Sequence, residues 1–122
     1  MSRLHTARNT ETWYLEEAMA GPLIRLAHLG QRRVYKKGEF LYHQEEVSSH
    51  FFFILSGRVQ VSIFREDGGE FVLEVMGRWA LCGEADAFEQ APRFSAAVAA
   101  EETEVIVFDA AAMEHVFASH PE

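Results

Sequence analysis

Gly83, Glu84 and Arg93 carry the chemistry that stands out in this chain. Gly83-Glu84-Ala85 opens a stretch that reads as one helical turn, and Pro92-Arg93 closes it ten residues later. The first amides of such a turn have no partner within it and point outward, so they suit an anion. The planar fork of Arg93 suits a phosphate. Pro92 fixes its own φ and so makes the approach of Arg93 rigid. The carboxylate of Glu84 can accept from hydroxyl groups. One cation, free amides and one carboxylate across a short connection describe a pocket for a sugar phosphate.

Strands and turns must hold that connection in place. Arg33-Val34-Tyr35 and Phe40-Leu41-Tyr42 flank a turn at Lys37-Gly38 and lead to an acidic loop at residues 44–46. Residues 50–55 are apolar almost throughout, the pattern of a fully buried strand. Val59, Val61 and Ile63 alternate with Arg58, Gln60 and Ser62, as in a half-buried strand. Glu66-Asp67-Gly68-Gly69 predicts a hairpin turn, after which Phe71, Leu73 and Val75 alternate with Glu70 and Glu74. Residues 94–100 and 104–108 give two further strands. On a strand, Ser95 would share a face with Arg93 and not with Phe94. Asp109 caps a last helix over residues 110–119, which packs Met113, Val116 and Phe117 on the strands.

Helices are expected only at the two ends. Thr10 caps one across residues 11–20, stopped by Gly21-Pro22, after a loose polar tail. Residues 23–29 fit either a short helix or a lead-in to the first strand. About eight short strands at this spacing predict a mainly β fold, a jelly-roll-like double-stranded β-helix. The expected division is a tail and helix at 1–22 and the roll at 23–122.

Composition narrows the function. The chain has 122 residues, 48% of them hydrophobic, enough for one domain with one core. Its net charge of −8 argues against nucleic-acid binding through this chain, since duplex DNA demands a basic face. An anionic ligand must then be held by local positive charge, for which Arg93 is the candidate. No apolar run nears the ~20 residues of a membrane span, and the N-terminus has no signal-like stretch, so a cytoplasmic setting is expected. The single cysteine, Cys82, fits a reducing compartment and reads as a small buried hydrophobe. It also excludes an iron–sulfur centre. The six histidines form no close ligand pair, and the His-x-His spacing of a cupin metal site is missing. No nucleophile and base stand together. The chain reads as a sensor, with no enzyme activity and no cofactor beyond its ligand.

The segment from Gly83 to Arg93 resembles the phosphate-binding cassette of cyclic nucleotide-binding domains, found in CRP/FNR-type bacterial regulators and in regulatory subunits of cyclic-AMP-dependent kinases. The run from Phe51 to Val61 resembles that family's aromatic-x-Ile-x-x-Gly-x-Val-x-Val signature, and Lys37-Gly38-Glu39 resembles its first turn. The similarity covers residues 31–122. It implies cyclic AMP or cyclic GMP as ligand, with Arg93 on the phosphate, Glu84 on the ribose 2′-hydroxyl, and Gly83, Ala85, Phe94 and Ser95 around them. Four positions depart from the pattern: Phe94 replaces a small residue, with Ser95 one place late, Ala85 replaces Leu or Ile, Cys82 replaces Phe or Ile, and Trp79 replaces glycine. The resemblance further implies a dimerisation helix and a DNA-binding helix-turn-helix beyond residue 122. The chain is thus expected to be a sensor from a longer homodimeric transcription regulator, or a stand-alone module. Two alternatives remain open: a roll that has lost nucleotide binding and serves as an interaction module, its pocket filled by Phe94 and Ala85, or a sensor of another anion such as an aromatic carboxylate.

Overall fold

The computed structural model describes strands Leu4–Thr6 and Trp13–Leu15 and the continuous segment 24–119, with side-chain surroundings over 24–115. The strands are β1 (Leu4–Thr6), β2 (Trp13–Leu15), β3 (Gln31–Tyr35), β4 (Phe40–Tyr42), β5 (His50–Ser56), β6 (Val59–Phe64), β7 (Glu70–Met76), β8 (Leu81–Cys82), β9 (Ala96–Ala99) and β10 (Thr103–Asp109). Helix α1 spans Glu84–Glu89 and α2 spans Ala110–Ser119. A 3-10 turn at Leu26–Leu29 settles the ambiguous lead-in as helical. Among the described residues no helix is long and apolar enough to cross a membrane.

Two antiparallel four-stranded sheets form the roll, in the orders β3-β10-β5-β8 and β4-β9-β6-β7. Strand β5 shows why its sequence is apolar on both faces. Phe52 and Ile54 join the core between the sheets, with Tyr42, Val59, Val61 and Val105. Phe51 and Phe53 face a second core with Phe108, Ala87 of α1 and Met113 of α2. Burial on both faces removes the usual alternation. Asp109 holds the start of α2 as expected, its Oδ1 accepting from the Ala111 amide at 3.0 Å and the Ser49 hydroxyl at 2.9 Å.

Four local expectations need correction. Trp13–Leu15, expected within a helix, is a strand paired with Leu4–Thr6, which was expected to be loose. A helix of about ten residues has little stability of its own, and Trp and Tyr favour a pleated pairing. The remainder of the expected helix lies outside the described residues. Strand β7 does not bury Phe71 and Val75, which are 62% and 42% exposed. It is the edge of its sheet, and the pairing with β6 steps between Val61 and Ser62, leaving Leu73 without a partner. That extra residue breaks the period of two. The same step buries Ser62 completely, where its hydroxyl donates to Glu70 at 2.8 Å. Finally, β9 starts only at Ala96. The backbone of Arg93 bonds the acidic loop instead of β6, its amide donating to Glu46 at 2.8 Å and its carbonyl accepting from Glu45 at 2.6 Å.

Candidate phosphate-binding cassette

The short strand β8 delivers the chain to Gly83, which turns it into α1. Gly83 has φ +80, a left-handed conformation that favours glycine. A Cβ here would also lie 2.8 Å from Nη1 of Arg93 and 3.0 Å from Cε2 of Tyr42. Glycine is therefore needed twice, for the backbone and for the close approach of the arginine. Gln90 ends α1 in a second left-handed conformation, its amide bonding the Ala87 carbonyl. Ala91 and Pro92 then return the chain to Arg93 beside Gly83.

Arg93 is 1% exposed. Its Nη1 donates to the Gly83 carbonyl at 2.7 Å and its Nη2 to the His50 carbonyl. The guanidinium carbon lies 4.3 Å from the centre of the Tyr42 ring, a cation–π distance. Nothing among the described residues accepts from Nε, which is buried. No carboxylate among them lies within ion-pair distance of this arginine. A buried cation held only by neutral groups is costly.

Glu84, Ala85, Ser95 and the rim residue Phe94 gather with Gly83 around a hollow of about 210 Å³. Val61, Leu73 and Met76 line it from β6 and β7. Five of the six residues expected at the site thus meet. Arg93 does not line this hollow; it lines an adjoining one, and Tyr42 belongs to both. In the alternative without nucleotide binding, Phe94 and Ala85 fill the pocket; here both line the hollow, with Phe94 63% exposed and Ala85 exposed too. Arg93 and Ser95 are both buried while Phe94 between them turns out, although the strand expected to set that alternation begins only at Ala96.

The electrostatics of the hollow are acidic. Glu74 and Asp86 line it alongside Glu84. Burial pushes the Glu84 carboxyl above its ordinary range, and Glu74 and Asp86 push it further, while its own amide and the Arg93 charge pull it back. Cys82, fully buried behind the cassette, is pushed up to about 12, chiefly by burial. Its sulfur lies 3.6 Å from the Tyr42 hydroxyl, and burial also raises that phenol.

Comparison with known proteins decides the family. Residues 32–120 match the profile of the cyclic nucleotide-binding domain. The chain belongs to the cyclic nucleotide-binding domain family. Among similar members, the cyclic AMP receptor protein of Thermus thermophilus is 30% identical over 76 residues, 62% of this chain and 35% of that protein. A CRP-like cAMP-activated global transcriptional regulator of Mycobacterium tuberculosis is 28% identical over 88 residues, 72% of this chain and 39% of that protein. The crystal structure of the Thermus thermophilus catabolite activator protein superposes with a TM-score of 0.74 at 25% identity, over 86% of this chain and 50% of that one. The chain therefore spans little more than a third of the curated relatives it matches.

Within this cyclic nucleotide-binding domain, sequence reasoning missed Tyr42, His50 and Glu74. Tyr42 reads as an ordinary core aromatic of β4, and the part played by His50 is its carbonyl, which carries no sequence signal. Glu74 reads as the outward position of an alternating strand. The acidic count of residues 70–86 was the one available hint.

Proposed function

We propose that this domain senses a cyclic nucleotide, with the phosphate on Arg93 and the ribose 2′-hydroxyl on Glu84. The observation that carries the reading is the state of Arg93: a buried cation bonded to the Gly83 carbonyl, with no partner for Nε and no carboxylate at ion-pair distance among the described residues. Such a group gains most from an anion, because a phosphate replaces neutral acceptors by charged ones. On binding, the guanidinium exchanges the carbonyls of Gly83 and His50 for phosphate oxygens and leaves the adjoining hollow for the front one. Gly83 and Ala85 bring backbone close to the phosphate, Ser95 offers a hydroxyl beside it, and exposed Phe94 covers the rim. Cyclic AMP is the first ligand to test, since the similar proteins bear that name, and cyclic GMP the second.

The domain passes binding to an output and performs no chemistry itself. In this reading residues 23–122 form the sensing unit of a cytoplasmic, homodimeric CRP/FNR-type transcription regulator. DNA contact belongs to other parts of that protein, since the net charge of this chain is −8.

Titration calorimetry with cyclic AMP and cyclic GMP tests the reading. Saturable binding to the wild type, lost in Arg93→Ala, supports it; equal affinity in both proteins refutes it. One observation favours a second reading, a roll without nucleotide binding: Glu74, Glu84 and Asp86 border the hollow, and Arg93 is not among its lining residues. No heat and no rise in melting temperature with either nucleotide would select it.

A further inference from the structure

Behind the cassette lies the second hollow, of about 140 Å³, which Arg93 and Tyr42 line. One wall of it is β3, of which Tyr35 alone is buried, edge-on to Phe52. By the period of two, Gln31 and Arg33 lie on the same side of the strand as Tyr35; both are exposed overall, and both line the hollow.

The groups that converge there are cationic and hydrogen-bonding. Arg33 gives one Nη to the Tyr35 hydroxyl at 3.0 Å and keeps the rest of its fork. Arg93 also lines the hollow, its two Nη atoms bonded to carbonyls and its buried Nε without a partner among the described residues. The ring of His50 and the hydroxyl of Ser48, 3.3 Å apart, stand at the same hollow. Among the lining residues the one carboxylate is Glu46, whose Oε1 accepts from the His43 amide at 2.9 Å. It is beyond ion-pair distance of both arginines. Two unpaired guanidiniums on one small hollow make a locally positive site in an acidic chain.

From this we propose that the rear hollow binds a small oxyanion of the phosphate class between Arg33 and Arg93, with His50 and Ser48 as further donors. The fork of Arg33 matches two oxygens of such an ion, and Arg93 adds its positive charge beside it. The oxyanion holds Arg93 in the inward position that the structure shows. It therefore opposes cyclic nucleotide at the front hollow, which draws on the same guanidinium. By linkage the opposition is mutual: each ligand weakens the other by the same factor. The rear site stands on its own geometry, and only the opposition rests on the cassette reading.

The test uses inorganic phosphate, with ionic strength held constant by chloride. Phosphate should raise the melting temperature of the wild type in a saturable way, and Arg33→Gln should abolish the rise. In phosphate-free buffer Arg33→Gln should bind cyclic AMP as the wild type does. Saturating phosphate should weaken cyclic AMP about fivefold or more in the wild type and not in Arg33→Gln. Arg33 is exposed, so the variant is expected to fold. If it does not, Arg33→Lys, which keeps the charge and loses the fork, should weaken phosphate about fivefold or more by the same melting titration. No phosphate effect on wild-type melting overturns the site. Equal antagonism of cyclic AMP in wild type and Arg33→Gln also overturns it, because phosphate is then entering the front hollow. If no cyclic nucleotide binds at all, the cassette reading falls alone, and the Arg33-dependent phosphate titration still decides the rear site.

Discussion

Replacing Arg93 by methionine should separate stability from binding, because the two draw on different terms. In the free protein the guanidinium makes two bonds to neutral carbonyls, of Gly83 and His50. At roughly 1.5–3 kcal/mol for each bond to a charged group, Arg93→Met gives up about 3–6 kcal/mol. Against this stands the burial of an ion that no carboxylate among the described residues pairs with directly, a cost of several kcal/mol on removal from water. Methionine is flexible and apolar and fills much of the same space. The Gly83 carbonyl also keeps the Ala87 amide at 3.2 Å. The opposing terms nearly cancel, so the net change in stability should stay within about 2 kcal/mol in either direction. For a domain of this size that is a shift in melting temperature of roughly 10 °C at most. Binding behaves differently. Losing the one buried cation of the site should cost about 2–5 kcal/mol, a weakening of roughly thirtyfold to several thousandfold. Chemical denaturation and calorimetry with cyclic AMP on the same samples read both quantities. A loss of stability above about 4 kcal/mol would mean that Arg93 serves as a structural pin. Unchanged affinity would remove it from the ligand site.

Gly83→Ala meets both the left-handed backbone and the guanidinium at 2.8 Å, so it should cost about 2–5 kcal/mol of stability, from ~1–2 for the conformation and ~1–3 for overpacking; a thermal melt matching the wild type would refute the close approach. Glu84 has a raised carboxyl, so the unfolded chain releases this proton more readily than the native one. Its stability contribution is full below the unfolded value near ~4.3 and is lost as pH rises through the higher native value. Glu84→Gln should thus melt above the wild type at pH 7 and level with it near pH 4, and a gain independent of pH would contradict the shift. The Cys82 thiol, buried and raised to about 12, should resist maleimide in the native protein and react fully in denaturant; rapid native labelling would show that the region behind the cassette opens.

Much of the roll was legible because its signals are local. The glycine at 83, the Asp67-Gly68-Gly69 turn and the Asp109 cap each need only a few neighbouring residues, and the structure places a left-handed turn, a hairpin and a helix start there. The apolar run of β5 needed only hydrophobicity to be read as buried. Arg93 and Ser95 are buried with Phe94 turned out, in keeping with a period of two, although no strand spans them. The family itself was legible from the order of three short motifs, which the domain profile over residues 32–120 bears out.

Other features depend on partners far along the chain. Arg93 could be assigned a phosphate from its neighbours, yet its direction is set by the carbonyl of His50, 43 residues away, and by the ring of Tyr42. Alternation along β7 predicts an inner face, but a strand at the edge of a sheet, with a bulge, leaves Phe71 and Val75 to solvent. Alternation along β3 cannot say which face is inner, and in the sheet beside β10 only Tyr35 of that strand is buried. By itself, then, the sequence determined most strands of the roll, its turns and the family, because backbone conformation and hydrophobic period are properties of short segments. Only the tertiary structure decided which carbonyls and which ring the guanidinium meets, because a side chain takes its direction from whatever distant backbone and rings are packed around it.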